Sequence, residues 1–154
     1  LHDIKNHFIK SQVNNSVSYI DKIGVYEGNK ILINDEKVGL IKYSLPEDVV
    51  SASLVIRNAA GAEVFREHIQ SEVGEHLYKW RAGENAANGV YTYEIEALDA
   101  DDKPLGVKKY GYGVIKSILT HDGESSVEIN GGEVQNDKIL KFTTEETLRK
   151  EMKL

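Results

Sequence analysis

The chain has 154 residues, with 19 Lys and Arg against 25 Asp and Glu, a formal net charge of −6 and a hydrophobic share of 40%. This is the balance of an ordinary, mildly acidic globular chain, and it excludes the basic stripe of a nucleic-acid binder. No apolar run approaches the ~18 residues of a membrane-spanning helix, and the absence of cysteine excludes disulfides and thiolate chemistry.

A single domain of this length would bury about 70% of its unfolded surface, but two small domains fit the length equally well. The chain begins at Leu1 rather than methionine, as expected of a fragment, with any export signal upstream. The opening "LHDIKNHFIKSQV" spaces Leu1, Ile4 and Phe8 at helical intervals, and Ile9 with Val13 extends a neighbouring row. The spacing predicts the end of a helix that is too short to be stable without a partner surface. After the polar connector "NNSVS", "YIDKIGVYE", "GN" and "KILIN" read as two strands joined by a tight hairpin.

From Lys37 onward, short strands recur between turns. Ile41, Tyr43 and Leu45 alternate in "VGLIKYSL", and Ala52, Leu54 and Ile56 do so in "SASLVIRN". The turn "NAAG" leads into "AEVFREHI"; then His76, Tyr78 and Trp80 share one face of a strand, and Tyr91, Tyr93, Ile95 and Ala97 share one face of another. Beyond Tyr110 the hairpin signals change. "YGVIKSILTH" meets "DG", "ESSVEIN" meets "GG", and "EVQNDKILKF" closes the set. The closing "TTEETLRKEMKL" offers a capping box, with Thr143 as N-cap and Glu146 three residues on. Short strands at roughly ten-residue intervals, without helices between them, predict an all-β chain built as a sandwich or barrel.

Trp80 is the only tryptophan, and it precedes Gly83 and the pair Asn88 and Gly89 before the strand that begins around Tyr91. These residues let the chain fold back over the indole, which makes the stretch a structural anchor. An exposed aromatic that stacks on a sugar is the competing reading, and no second tryptophan supports it.

Signals for chemistry are weak. His2, His7, His68, His76 and His121 form no HExxH pair. "DADDKPLG" departs from a calcium loop, with its glycine two positions late and Tyr110 where a bidentate glutamate belongs. "GYGVIK" lacks the third glycine of a dinucleotide site and runs into a strand. Tyr19, Tyr26, Tyr110, Tyr112 and Phe142 evoke an aromatic methyl-ammonium cage, but core packing and rim filling account for them more simply. The expectation is a non-enzyme with no metal and no cofactor.

"WRAGENAANGVYTYEIEALDADDKPLG" resembles the Trp, Gly, Gly, Tyr signature of the immunoglobulin-like or fibronectin type III-like module in bacterial flagellar hook assembly proteins, the hook-capping scaffolds. Its signature residues here are Trp80, Gly83, Gly89 and Tyr91. The flanks "SVSYIDKIGVYEGN" and "YGVIKSILTHDGESSVEINGGEVQNDKILKF" resemble the two halves of that family's small tudor-like (SH3-like) β-barrel, into which the sandwich is inserted. Arg81 follows the tryptophan where the family commonly has aspartate, and the loop before Tyr91 is shorter than usual.

The resemblance implies a helix end and connector at 1–17, a discontinuous barrel from 18–36 plus 110–142, a sandwich at 37–109 and a tail at 143–154. It further implies export by the flagellar type III apparatus, a homo-oligomeric cap at the tip of the growing hook, and the hook subunit as partner, with Leu1, Ile4 and Phe8 in the oligomer interface. An immunoglobulin-like adhesin or carbohydrate-binding module, and an accessory domain of an extracellular enzyme, are the alternatives.

Overall fold

The computed structural model describes residues 20–152, so the amino-terminal helix expected around Leu1, Ile4 and Phe8, and Tyr19, lie outside the described residues. Among the described residues the chain is all-β apart from one short helix toward its carboxyl end and a 3-10 turn at Asn136–Lys138. The described residues form thirteen strands in order: β1 (Ile23–Glu27), β2 (Lys30–Ile33), β3 (Val38–Leu45), β4 (Ser51–Arg57), β5 (Glu63–Ile69), β6 (Gly74–Arg81), β7 (Gly89–Leu98), β8 (Pro104–Leu105), β9 (Lys108–Val114), β10 (Ser117–His121), β11 (Glu124–Ile129), β12 (Gly132–Gln135) and β13 (Ile139–Thr143). Helix α1 (Glu145–Met152) follows. The chain divides into two compact units: one is Glu27–Gly111, and the other is formed by the described residues up to Tyr26 with those from Tyr112 on.

Glu27–Gly111 is a sandwich of antiparallel layers. One layer orders its strands β2, β7, β4, β5, with β8 added beside the end of β7. In the other layer β3 pairs with β6 on one side and with residues 108–111 of β9 on the other. The alternation read from the sequence sets the core. Ile41, Tyr43 and Leu45 of β3 meet Ala52, Leu54 and Ile56 of β4 and Tyr91, Tyr93, Ile95 and Ala97 of β7 in one buried cluster, joined by Trp80 of β6.

Strand β2 corrects the sequence reading. It was expected in the barrel, paired across a "GN" hairpin with the preceding strand. In the structure β1 pairs with β13, whereas β2 pairs with β7, from Lys30 against Thr92 to Ile33 against Gly89. The physical cause is apolar burial: Ile31 and Ile33 are 2% and 1% exposed within the sandwich core. Gly39 makes room for them, since a Cβ at that position would overlap Ile31 Cγ2. Instead of closing a hairpin, Asn29 accepts from Tyr93 N–H at 3.0 Å and its side-chain amide donates to Tyr93 C=O at 3.2 Å, so it ties the chain to β7.

The second unit centres on Tyr26, Ile115, Val127 and Ile129, with Ile118, Val134, Ile139 and Phe142 packed around them. Strands β10, β11 and β12 form a meander. Its first turn is the expected "DG": Asp122 and Gly123 hold φ of 51° and 82°, both positive as a two-residue hairpin of the primed type requires. The second turn lies one residue earlier than "GG". It is Asn130 and Gly131, at φ 49° and 76°, because Ile129 pairs with Gly132. Asn130 is only 2% exposed, and its amide donates to Tyr26 Oη at 3.1 Å and to Tyr112 C=O at 2.9 Å. The stretch "YGVIKSILTH" divides into β9 and β10 around buried Ile115, whose N–H donates to Lys22 C=O and whose C=O accepts from Asp21 N–H.

The helix start also moves by one residue. Thr144 Oγ1, not Thr143, accepts from Thr147 N–H at 3.2 Å, which makes Thr144 the N-cap of α1. Thr143 ends β13 with its hydroxyl buried and unpartnered. Leu148 docks the helix in a buried position.

Candidate interaction surface

The four signature residues form an anchor rather than an open pocket. Trp80 is 4% exposed; its ring meets Tyr91 edge-on at 5.3 Å between centroids and Phe65 of β5 at 6.0 Å. Gly83 and Gly89 bracket the intervening loop with φ of 92° and 142°, values in the region that favours glycine. Tyr91 Oη donates to Ala87 C=O at 2.7 Å, four residues back, fixing the loop to the strand it enters. Lys37, itself at φ 59°, clamps the loop from outside: its ammonium donates to Ala86 C=O at 2.7 Å and Asn88 Oδ1 at 2.5 Å. Asn88 in turn donates to Asp35 at 2.8 Å. An indole buried in this way is not the exposed platform on which a sugar stacks.

The remaining chemistry of the sandwich is structural. Asp99 Oδ1 accepts from the N–H groups of Asp101 and Lys103, so "DADDKPLG" is a carboxylate-braced turn between β7 and β8. Tyr78 Oη donates to Glu67 across the gap between the edge strands β6 and β5. Burial, then the Glu67 carboxylate, pushes the Tyr78 phenol up to about 12. Tyr43 stacks on His76 with centroids 5.3 Å apart, and burial pushes its phenol up as well. On the outer face Arg66 bridges Glu63 at 2.9 Å and Glu96 at 2.8 Å, which holds the Glu63 carboxyl below its usual range.

Of the residues suggested for an aromatic cage, the described ones are engaged in packing contacts within the fold. Tyr26 and Tyr112 are buried, and Tyr26 is held by Asn130. Tyr110 lies beneath Lys42 Nζ, 5.7 Å from the ring centroid.

What sequence reasoning missed is the sandwich's free strand edges. In the layer containing β3, β6 is the terminal strand, and in the facing layer β5 is. The signal was available only in part: alternation identifies a strand but not its neighbours. Among the described residues no group of three or more His, Asp or Glu could hold a metal ion, and no helix is long and apolar enough to cross a membrane.

Residues 28–101 match the family model of the FlgD Ig-like domain. That match begins ahead of β2, in accord with the place of β2 in the sandwich. Among solved structures, FlgD from Xanthomonas campestris, whose structure concerns the hook capping essential for flagellar assembly, is similar at a TM-score of 0.69 and 15% identity, covering 86% of this chain and 99% of that one. FlgD from P. aeruginosa is similar at a TM-score of 0.68 and 16% identity, covering 79% of this chain and 96% of that one. No curated protein sequence matches the chain significantly. The fold of the chain is thus similar to that of these FlgD structures, and residues 28–101 carry the match to the FlgD Ig-like domain.

Proposed function

We propose that the chain is a non-catalytic scaffold of the flagellar hook cap, which holds incoming hook subunits at the distal end of the growing hook and releases them once packed. The observation that carries this reading is the FlgD Ig-like domain match over residues 28–101. The two small β units supply rigid, braced surfaces suited to weak and repeated contacts with a subunit that must leave again. The reading includes export by the flagellar type III apparatus and assembly of several copies into a cap, with Leu1, Ile4 and Phe8 as the candidate apolar stripe between copies. Such a scaffold works without metal, nucleotide or covalent intermediate, so protein purified without chelator should carry no stoichiometric metal in elemental analysis.

The deciding experiment is complementation of a hookless strain that lacks its own hook-cap protein. Restored hooks and motility are expected, and continued secretion of unpolymerised hook subunit would overturn the proposal. The amino-terminal stripe has its own test. The double variant Ile4→Ser, Phe8→Ser should sediment as smaller species and swim poorly; unchanged assembly with normal hooks would leave the stripe as local packing.

A further inference from the structure

Strand β6 has an unbroken edge. It runs eight residues, Gly74–Arg81, in continuous register with β3, and among the described residues no strand pairs with its other side. Just past this ladder Ala82 N–H donates to Lys37 C=O at 2.9 Å. That bond fixes the alternation of the antiparallel pair. His76, Tyr78 and Trp80 direct their main-chain groups to β3, while Glu75, Leu77, Lys79 and Arg81 direct theirs to the free edge. The side chains follow the same alternation. Trp80 is buried in the core, whereas Glu75 and Arg81 are exposed, with the Glu75 side chain 59% accessible and 3.4 Å from Lys42 on the neighbouring strand.

We propose that this edge is a docking surface for a second copy of the chain, with the two β6 strands pairing antiparallel about a two-fold axis at Leu77. In that register Leu77 faces its own copy, Glu75 faces the partner's Lys79, and Lys79 faces the partner's Glu75. The strand is self-complementary in charge, with its half-buried leucine at the axis. Each of these facing pairs consists of residues whose N–H and C=O already point outward, so each exchanges both of its hydrogen bonds.

Neighbouring registers fit less well. An axis at Glu75 or Lys79 sets like charges face to face, which is destabilising across strands. An axis at His76 leaves Glu75 facing the partner's Leu77, and an axis at Tyr78 pairs Glu75 with the partner's Arg81 but sets Leu77 against Lys79, so neither places the leucine against its own copy. Strand β5, the edge of the facing layer, is unsuited: Arg66 and Glu67 at its middle would each meet their own kind, and its ladder with β4 is broken by a register shift between Ile56 and Arg57. The inference goes beyond the hook-cap reading and stands independently of it, because it needs only the sequence and register of this strand.

The test uses the full chain. Sedimentation should show a reversible dimer that Glu75→Lys and Lys79→Glu each weaken about tenfold, while the double reversal restores it. The axis has a covalent readout. The chain has no cysteine, and facing residues of a hydrogen-bonded antiparallel pair lie about 5.5 Å apart at Cα, within disulfide range. Leu77→Cys should therefore oxidise rapidly to a linked dimer, and Glu124→Cys, exposed at the β10 and β11 hairpin, should not. This readout reports on β6 regardless of association elsewhere in the chain. A wild type that stays monomeric, a double reversal that fails to recover, or Leu77→Cys linking no faster than Glu124→Cys would overturn the proposal.

Discussion

Tyr93 shows how much one side chain carries in this fold. Fully buried on β7, it reaches across the core, where its single hydroxyl proton is shared between Lys42 C=O at 2.9 Å and Tyr110 C=O at 2.8 Å, while its oxygen accepts from Tyr110 N–H at 3.0 Å. The hydroxyl thus sits in the ladder between β3 and β9, where Lys42 pairs with Tyr110. Tyr93→Phe keeps the ring and strands buried main-chain groups, so urea denaturation should show a loss of about 1–3 kcal/mol. Trp80→Ala should cost more, about 3–5 kcal/mol in the same measurement, because a cavity opens between Tyr91 and Phe65. Tyr78 supplies a pH signature. Its folded phenol is raised above the ordinary 10.0, so the neutral form is favoured by folding; that contribution is complete below about 10 and is lost as pH rises through about 12. Phenolate absorbance should place one tyrosine near 12, and Glu67→Gln should lower that value while leaving the larger effect of burial.

Among the elements, α1 is the clearest case of a local signal read one residue out of place. Both Thr143 and Thr144 precede a helix rich in glutamate, and the capping box, with Glu146 three residues on, fits Thr143, whereas Thr144 has Thr147 in that place. The choice fell to Thr144 because Thr143 completes the pairing of β13, facing Ile23 of β1. Thr144→Ala should lower helix stability by about 1 kcal/mol, seen as lost helical signal and earlier melting. Thr143→Val, which removes a buried and unpartnered hydroxyl, should leave melting unchanged or raise it. If the two outcomes were exchanged, the assignment of the cap would be wrong. The second meander turn repeats the lesson. Asn-Gly and Gly-Gly both suit a primed turn, and Asn130 was selected by a buried partner, Tyr26, 104 residues away in sequence.

At the level of the whole molecule, the place of β2 decides where a self-standing sandwich can be cut. Ile31 and Ile33 belong to its core, so residues 27–111 should give a dispersed amide spectrum and residues 37–109 a collapsed one, with the β7 edge and Tyr91 uncovered. Equal dispersion from both fragments would show that β2 is dispensable. The sequence by itself determined the all-β class, most strands and the buried face of each, since a two-residue period and a positive φ are properties of a few adjacent residues. It also determined the role of Trp80, because Gly83, Gly89 and Tyr91 lie near enough in sequence to build its cover. The tertiary structure alone decided which strands are neighbours. "KILIN" alternates equally well in either unit, and nothing local distinguishes pairing with β1 from pairing with β7. Asn130 and β6 follow the same rule: a polar residue reads as a turn until a distant tyrosine buries it, and a strand reads as paired until the sheet order leaves it at an edge. Alternation reports that a face is covered, whereas the identity of the cover is a long-range choice set by which apolar surfaces fit together.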